Sequence, residues 1–302
     1  MTQLLHTAEQ MRRALAAATA SSPAEHPVVG YVPTMGALHA GHRSLLEAAR
    51  SSSDLLISSI FVNPLQFDDD ADYRHYPRQL SEDLALLEDT GADLVFAPEL
   101  EEMYPGYPAS PRIRVSAGEM GRKWEGASRP GHFDGVVTVV TKLFSILTPP
   151  APARLQAWFG QKDAEQVAII RRLTEDLNLP AEIRVLPTVR DENGLALSSR
   201  NQRLSAEDYP AALELSAALR SLAERARAGQ PLQIDQLRTR LDHAAGVEPD
   251  YLVVVDPATL EEIRPEGALL DADGVLRGPA LALVAARVGP VRLIDNMEIQ
   301  PD

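Results

Sequence analysis

The 302 residues contain no cysteine. Disulfides, thiolate metal sites and any covalent thiol mechanism are therefore excluded. Also missing is an apolar run of membrane-spanning length. The amino-terminal stretch places Leu4, Leu5, Ala8, Met11 and Leu15 at helical spacing, but Glu9, Arg12 and Arg13 interrupt it, so it lacks the apolar core of a signal peptide. A soluble, cytoplasmic protein is expected. Positive charge is scarce: 29 Lys and Arg stand against 43 Asp and Glu, giving a net charge of −14 and a pI near 5.0. That field disfavours non-specific binding to nucleic acid or membrane, so an anionic substrate has to be held by a local basic cluster. No internal repeat or low-complexity segment occurs.

What is present is a globular balance, 45% apolar and 24% charged residues, in a chain long enough for two domains. The stretch Val28 to Arg50, VVGYVPTMGALHAGHRSLLEAAR, reads as a buried strand over Val28 to Val32, a turn with Gly36 and Gly41, and a helix with Leu45, Leu46 and Ala49 on one face. Unpaired amides at a helix start, with the positive end of the helix dipole, make such a loop an anion site. His39 and His42 lie where the anion would sit. Their HxxH spacing also suits a metal, and the bland alternative is a pair of capping or surface histidines.

Further strands are predicted at Leu55 to Val62, Ala92 to Ala97, Leu155 to Phe159 and Glu182 to Leu186, with helices at Glu82 to Glu88, Gly135 to Leu147 and Asp163 to Leu177. Asp68 to Pro77 reads as a polar loop, and Glu99 to Pro130 shows no pattern. Repeated strand-helix-strand units predict an α/β fold: a Rossmann-like parallel sheet covered on both faces, spanning residues 1–188, with ligands at the carboxyl ends of its strands. Residues 189–302 read as a smaller α+β domain. It would comprise helices over Pro210 to Arg227 and Leu232 to Ala245, a strand over Tyr251 to Val255, and a hairpin of Leu281 to Arg287 with Val291 to Asp295.

Against the acidic background, Arg129, His132, Lys162, Arg190 and Arg200 add positive charge at loops and strand ends. Such a set suggests phosphate binding, with Lys162 and Arg200 fitting best, although an isolated basic residue is more often simply solvated. Leu197 to Asn201, LSSRN, offers two hydroxyls, an amide and a guanidinium, or else a capping serine cluster. Gln66 and Gln166 suit an uncharged polar grip on a substrate, or the satisfaction of backbone groups. Glu82 and Asp83 suit an oxygen site for Mg²⁺ shared with phosphates, or simple partnership with a helix dipole.

PTMGALHAGH at Pro33 to His42, SIFVNPLQF at Ser59 to Phe67, GQKDAEQ at Gly160 to Gln166 and LSSRN occur in this order. Together they closely resemble the pantothenate synthetases, ATP-dependent pantoate:beta-alanine ligases of the adenylyl-transferring HIGH-motif superfamily. RPGHFDGVVTVVTKLF at Arg129 to Phe144 and VRLIDN at Val291 to Asn296 extend the match over most of the chain. The resemblance implies a ligase of coenzyme A biosynthesis that makes pantoyl adenylate and pyrophosphate, then lets beta-alanine displace AMP. It implies ATP binding by Pro33, Thr34, Met35, Gly36, His39, His42, Gly160, Gln161, Lys162, Asp163, Val189, Leu197, Ser198, Ser199 and Arg200. His42, His39, Lys162 and Arg200 would carry the catalysis, with His42 as proton donor. Gln66 and Gln166, with Asn63, Arg129 and His132, would bind pantoate and beta-alanine. Residues 189–302 would act as a lid, and a homodimer is expected.

Two departures concern the site. Gln161 stands where the family commonly has glutamate, and Glu165 where it has a second glutamine. At the magnesium position, family members combine two aspartates with glutamine, whereas this chain has Glu82, Asp83 and Leu86. Leu86 cannot ligate a metal, so the ATP phosphates are expected to hold the ion. The rival readings are another HIGH-motif nucleotidylyltransferase and a non-catalytic nucleotide-binding regulator.

Overall fold

The computed structural model describes residues 2–67, 70–109 and 111–302; the side chains of Asp70, Ser199 and Gln202 are outside the description. The chain divides into two compact units, one of residues 1–160 and 169–186, the other of residues 161–168 and 187–302.

The first unit opens with a short strand, β1 (Gln3–Leu5), where helical spacing had grouped Leu4 and Leu5 with the following helix. The difference has a local cause. Thr7 caps α1 (Ala8–Ala20) in a reciprocal box, its hydroxyl accepting the Gln10 amide while the Gln10 side chain accepts the amides of Thr7 and His6, so no helix can begin before Ala8. There follow β2 (Val28–Thr34), α2 (Ala40–Ser51), β3 (Leu55–Ile60), a 3-10 turn at Pro64–Gln66, and α3 (Asp70–His75). Next come α4 (Leu80–Asp89), β4 (Leu94–Phe96), α5 (Leu100–Met103) and α6 (Trp124–Ser128). The unit is completed by α7 (His132–Leu147), β5 (Arg154–Gly160), the second half of α8 (Ala164–Asp176) and β6 (Ala181–Leu186). Thus α3 occupies part of the expected 68–77 loop, while Asp68 and Asp69 lie outside the described residues; α5 and α6 occupy parts of the patternless 99–130 stretch. Helices of four to six residues are too short to show an apolar period.

Among the described residues the strands of this unit form a six-stranded, wholly parallel sheet in the order β1-β4-β3-β2-β5-β6. The chain builds outward from β2 through β3 and β4, then crosses to β5 on the other side, so the strand order reverses between β2 and β5. Ligands of open α/β sheets bind beside such a reversal. Both faces are covered. Val32, Leu56 and Val95 pack with Leu46 and Ala49 of α2 and Leu87 of α4, while Tyr31 meets Phe144 of α7 edge-on on the opposite face, with ring centroids 6.4 Å apart. Gly30 lets the end of α2 and the turn after it approach, since a Cβ there would come 3.3 Å from the Ala49 carbonyl oxygen and 2.6 Å from the Ser53 hydroxyl.

In the second unit, α9 (Tyr209–Arg227) and α10 (Ile234–Asp242) pack on an antiparallel sheet of β7 (Val247–Val255), β8 (Ala280–Val288) and β9 (Val291–Ile299), in that order. Leu215, Leu219 and Leu222 of α9 share a core with Leu237, Leu252, Ala282, Val284 and Leu293. β7 begins four residues before the strand read from sequence, because Pro249 lies within it at a register shift on an edge strand, where a missing amide is tolerated. No helix is long and apolar enough to cross a membrane among the described residues.

Candidate active site

β2 ends at Thr34, whose hydroxyl donates to the Ser59 carbonyl at 2.7 Å and accepts the Gly36 amide at 3.2 Å. The chain then turns through Gly36 and Ala37, both with positive φ, at +85° and +52°. Glycine suits the first position doubly, since a Cβ there would lie 2.9 Å from an Asp83 carboxylate oxygen. Asp83, 1% exposed, accepts the amides of Ala37 and Leu38 at 3.0 and 2.8 Å. Two consecutive amides in such a turn form a concavity suited to an anion. Here the protein supplies that anion itself, through Asp83.

The start of α2 is equally occupied. His39 is its N-cap, with Nδ1 accepting the Gly41 amide at 3.1 Å, and His42 Nδ1 accepts the His39 amide at 3.3 Å. The capping role is therefore realised, and it has a chemical corollary. An imidazole nitrogen that accepts an amide proton carries none of its own, so each neutral ring holds its proton on Nε2. The helix start thereby fixes two Nε2–H donors, with ring centroids 4.2 Å apart.

Beyond β3, Asn63 is 1% exposed and uses every polar atom. Its Oδ1 accepts the Tyr104 hydroxyl at 3.0 Å and the Leu65 amide at 3.3 Å; its Nδ2 donates to Gln66 Oε1 at 3.0 Å and to the Gly135 carbonyl at 3.1 Å. Gln66 in turn donates to the Met35 sulfur at 2.9 Å. Its backbone carbonyl accepts from His132 Nδ1 at 2.7 Å and from Arg129 Nη2 at 3.2 Å. The structure thus gathers Met35, Asn63, Gln66, Arg129 and His132 in one network. Gly135 makes it possible, because a Cβ at that position would come 2.1 Å from the Leu65 carbonyl oxygen. Tyr104 was not foreseen, lying as it does in the patternless stretch. Burial raises its pKa above the ordinary phenol value, against a smaller lowering by Arg114, so it stays a neutral donor.

In the second unit, Gln161–Asp163 form a 3-10 turn directly before α8. Lys162, Ser198, Arg200 and Asn201 line one cleft with Arg292 and Asp295. The Leu197 amide donates to the Val189 carbonyl at 2.9 Å, which holds the two flanks of the 189–197 turn together. Ser198 caps the 3-10 turn Ser199–Arg203 by accepting the Arg200 amide at 3.2 Å; the Ser199 side chain is outside the described residues. At the tip of the turn, burial of Asp191 opposes its ionisation but is outweighed by the Tyr209 hydroxyl and the amides of Leu195, Asn193 and Gly194, so its pKa falls below the usual carboxylate value. Arg190 is not a phosphate-facing cation, as its place in the sequence suggested. Its guanidinium forks onto Asp295 at 2.6 and 2.9 Å. Gln166 is half-buried on α8, beside a buried Glu165 that accepts the Tyr251 hydroxyl at 3.1 Å.

The fit to a protein-held metal is poor. Asp83 already binds two amides, Glu82 is exposed, and consecutive helical residues point about 100° apart. Among the described residues no group of three or more His, Asp or Glu side chains is arranged to hold an ion.

A parallel α/β sheet with a glycine turn and a histidine-capped helix at the carboxyl end of a central strand places this chain in the broad class of nucleotide-site α/β proteins. Within that class it belongs to the pantoate-beta-alanine ligase family, whose family model matches residues 3–298. It is 56% identical over 277 residues to the pantothenate synthetase of Corynebacterium glutamicum, covering 91% of this chain and 94% of that one. It is 47% identical to that of Chloroflexus aurantiacus, over 97% of each chain. The crystal structure of pantothenate synthetase from Thermus thermophilus superposes with a TM-score of 0.82 at 41% identity, covering 99% of this chain and all of that one. The pantoate-beta-alanine ligase of Francisella tularensis, solved with beta-gamma ATP and beta-alanine, gives a TM-score of 0.74 at 32% identity, over 98% and 97% of the two chains.

Proposed function

We propose that this chain joins pantoate and beta-alanine to give pantothenate at the expense of ATP, in two steps. A pantoate carboxylate oxygen attacks the α-phosphorus, the bond to the bridging oxygen breaks, and pyrophosphate leaves with that electron pair. The beta-alanine amine then attacks the acyl carbon of the adenylate, losing a proton as AMP departs. The observation carrying the proposal is the match to the pantoate-beta-alanine ligase family over residues 3–298, and the histidine-capped start of α2 and the Met35–Gln66–Asn63 network are the groups through which this chain is read to act.

Adenylation builds negative charge on phosphoryl oxygens, and its catalysis is chiefly positioning and charge stabilisation. His42 and His39 donate hydrogen bonds through Nε2 to the phosphates, with His42 as the proton donor to the developing charge. Lys162 and Arg200 neutralise the triphosphate. Pro33 to Gly36, Gly160, Gln161, Asp163, Val189 and Leu197 to Ser199 surround the nucleotide. Gln66 and Gln166 grip pantoate, while Asn63, Arg129 and His132 fix the geometry of Gln66. Because Glu82 and Asp83 do not form a metal cage, Mg²⁺ enters as the counter-ion of ATP. Residues 189–302 act as a lid that shields the adenylate from water. The protein works in the cytoplasm as a homodimer; light scattering reads the oligomeric state.

The purified protein with ATP, Mg²⁺ and pantoate should release pyrophosphate, and adding beta-alanine should give AMP and pantothenate. Absence of pantoate-dependent pyrophosphate would end the proposal. His42→Ala and Lys162→Ala should each slow adenylation by ~10²-fold or more; normal adenylation by either variant removes that residue from the mechanism.

A further inference from the structure

The VRLIDN segment of β9 ends in Asp295 and Asn296, which are 6% and 3% exposed, in a strand at the edge of its sheet. The backbone groups of Asn296 that an edge strand would leave unpaired are taken by side chains: its amide donates to Asp295 Oδ1 at 2.8 Å, and its carbonyl accepts Arg190 Nη2 at 3.1 Å. Arg190 also donates to the Gly194 carbonyl at 3.0 Å while forking onto Asp295. A bidentate, largely buried pair of this kind fixes geometry in a way that a lysine would not. The product of the arrangement is the placement of one amide group. Asn296 Nδ2 donates to the carbonyls of Gln161 and Lys162 at 2.9 and 2.8 Å. Both partners only accept, so the nitrogen must face them. The other end of the amide, Oδ1, is buried without a hydrogen-bond partner. A buried acceptor left unpaired is unfavourable, so the residue is justified by its two donors.

We propose that Asn296 is a positioning residue for Lys162: held by the Arg190–Asp295 pair, it clamps the Gln161–Lys162 turn and so aims the ammonium group at the triphosphate. The flexible four-carbon stem of a lysine needs a fixed root if its charge is to meet a phosphoryl group reproducibly. The proposal rests on Lys162 contacting ATP.

The test is pantoate-dependent pyrophosphate release by the full-length protein, with ATP and pantoate varied separately and thermal melts as a control for folding. Asn296→Ala should lower kcat/KM for ATP by ~10-fold or more and leave the KM for pantoate within about twofold. Asn296→Asp keeps the shape but removes both donors, and should lose at least as much. Added to Lys162→Ala, Asn296→Ala should cost less than about twofold more, because the residue acts through that lysine. Unchanged ATP kinetics, or losses that multiply in the double variant, would overturn the proposal. If Lys162→Ala adenylates normally, the reading of Lys162 as a phosphate ligand fails and the clamp has no purpose; if Lys162→Ala is impaired but Asn296→Ala is not, only the clamp fails. Should Asn296→Ala not melt cooperatively, Arg190→Lys carries the test: a selective loss with ATP supports the proposal, and normal kinetics overturns it.

Discussion

The surroundings of Gln66 and those of Lys162 are built on different principles. Around Gln66 the hydrogen bonds run mainly between neutral groups, joined by the Arg129 guanidinium on the Gln66 carbonyl, and the Asn63 side chain at their centre has no polar atom left over. Around Lys162 the charged groups remain partly in water: Arg200 is exposed, and the Lys162 ammonium lies 3.8 Å from an exposed Asp163 carboxylate. A small polar substrate is recognised by a few well-placed hydrogen bonds, which hold their geometry only when the supporting atoms are locked. A triphosphate is recognised mostly by charge, and a desolvated ammonium or guanidinium would be expensive to maintain without it. On the proposed assignment of pantoate to Gln66 and the triphosphate to Lys162, the rigid half of the chemistry is buried in advance and the electrostatic half stays hydrated.

Substitutions that damage only one side sharpen this contrast. The largest effect should come from Gly135→Ala, whose new methyl would overlap the Leu65 carbonyl. A loss of ~3 kcal/mol or more in denaturant unfolding is expected, with displacement of the 64–66 turn; a variant of unchanged stability would show the close approach to be unimportant. Asn63→Ala leaves the Tyr104 hydroxyl and the Gly135 carbonyl without this partner. It should destabilise by about 2–4 kcal/mol and weaken pantoate saturation more than ATP saturation, and an equal effect on both substrates would dissolve the contrast. Asp83→Ala frees the amides of Ala37 and Leu38. A loss of about 1–3 kcal/mol is expected, with slower adenylation that extra Mg²⁺ does not restore; restoration by the metal would return Asp83 to the role of ligand.

The smallest effect concerns the turn at Asp191. Its pKa is lowered in the folded state, so its carboxylate stabilises the fold above the unfolded value, about 3.9, and that contribution disappears as pH falls through the folded one. Asp191→Asn should melt slightly below the parent at neutral pH, and the gap should narrow as the pH falls below the ordinary carboxylate range. A gap independent of pH would assign the effect to shape, not charge.

Much of the parallel sheet was legible because buried strands and covering helices announce themselves through runs and periods of a few residues. Val28 to Val32 and the face of Leu45, Leu46 and Ala49 are such signals. The motifs at Pro33 to His42 and Leu197 to Asn201 marked the loops for the same reason, being contiguous. What stayed hidden joins residues far apart in the chain. Asp83 meets the loop across 46 positions from Ala37, Tyr104 meets Asn63 across 41, and Asn296 reaches Lys162 across 134. No local pattern records such pairings. Arg190 is the instructive error: a guanidinium beside a candidate phosphate loop looks alike in sequence whether it faces a substrate or a carboxylate 105 residues away.

The Asp83 carboxylate has one more consequence. Many phosphate loops take their shape only when the nucleotide arrives, and part of the binding energy is lost in ordering them. In this chain the amides of Ala37 and Leu38 are already bonded to a carboxylate carried by α4. The loop should therefore keep one shape whether the buffer contains sulfate, phosphate or neither, and amide exchange at Ala37 and Leu38 should be as slow before ATP binds as afterwards.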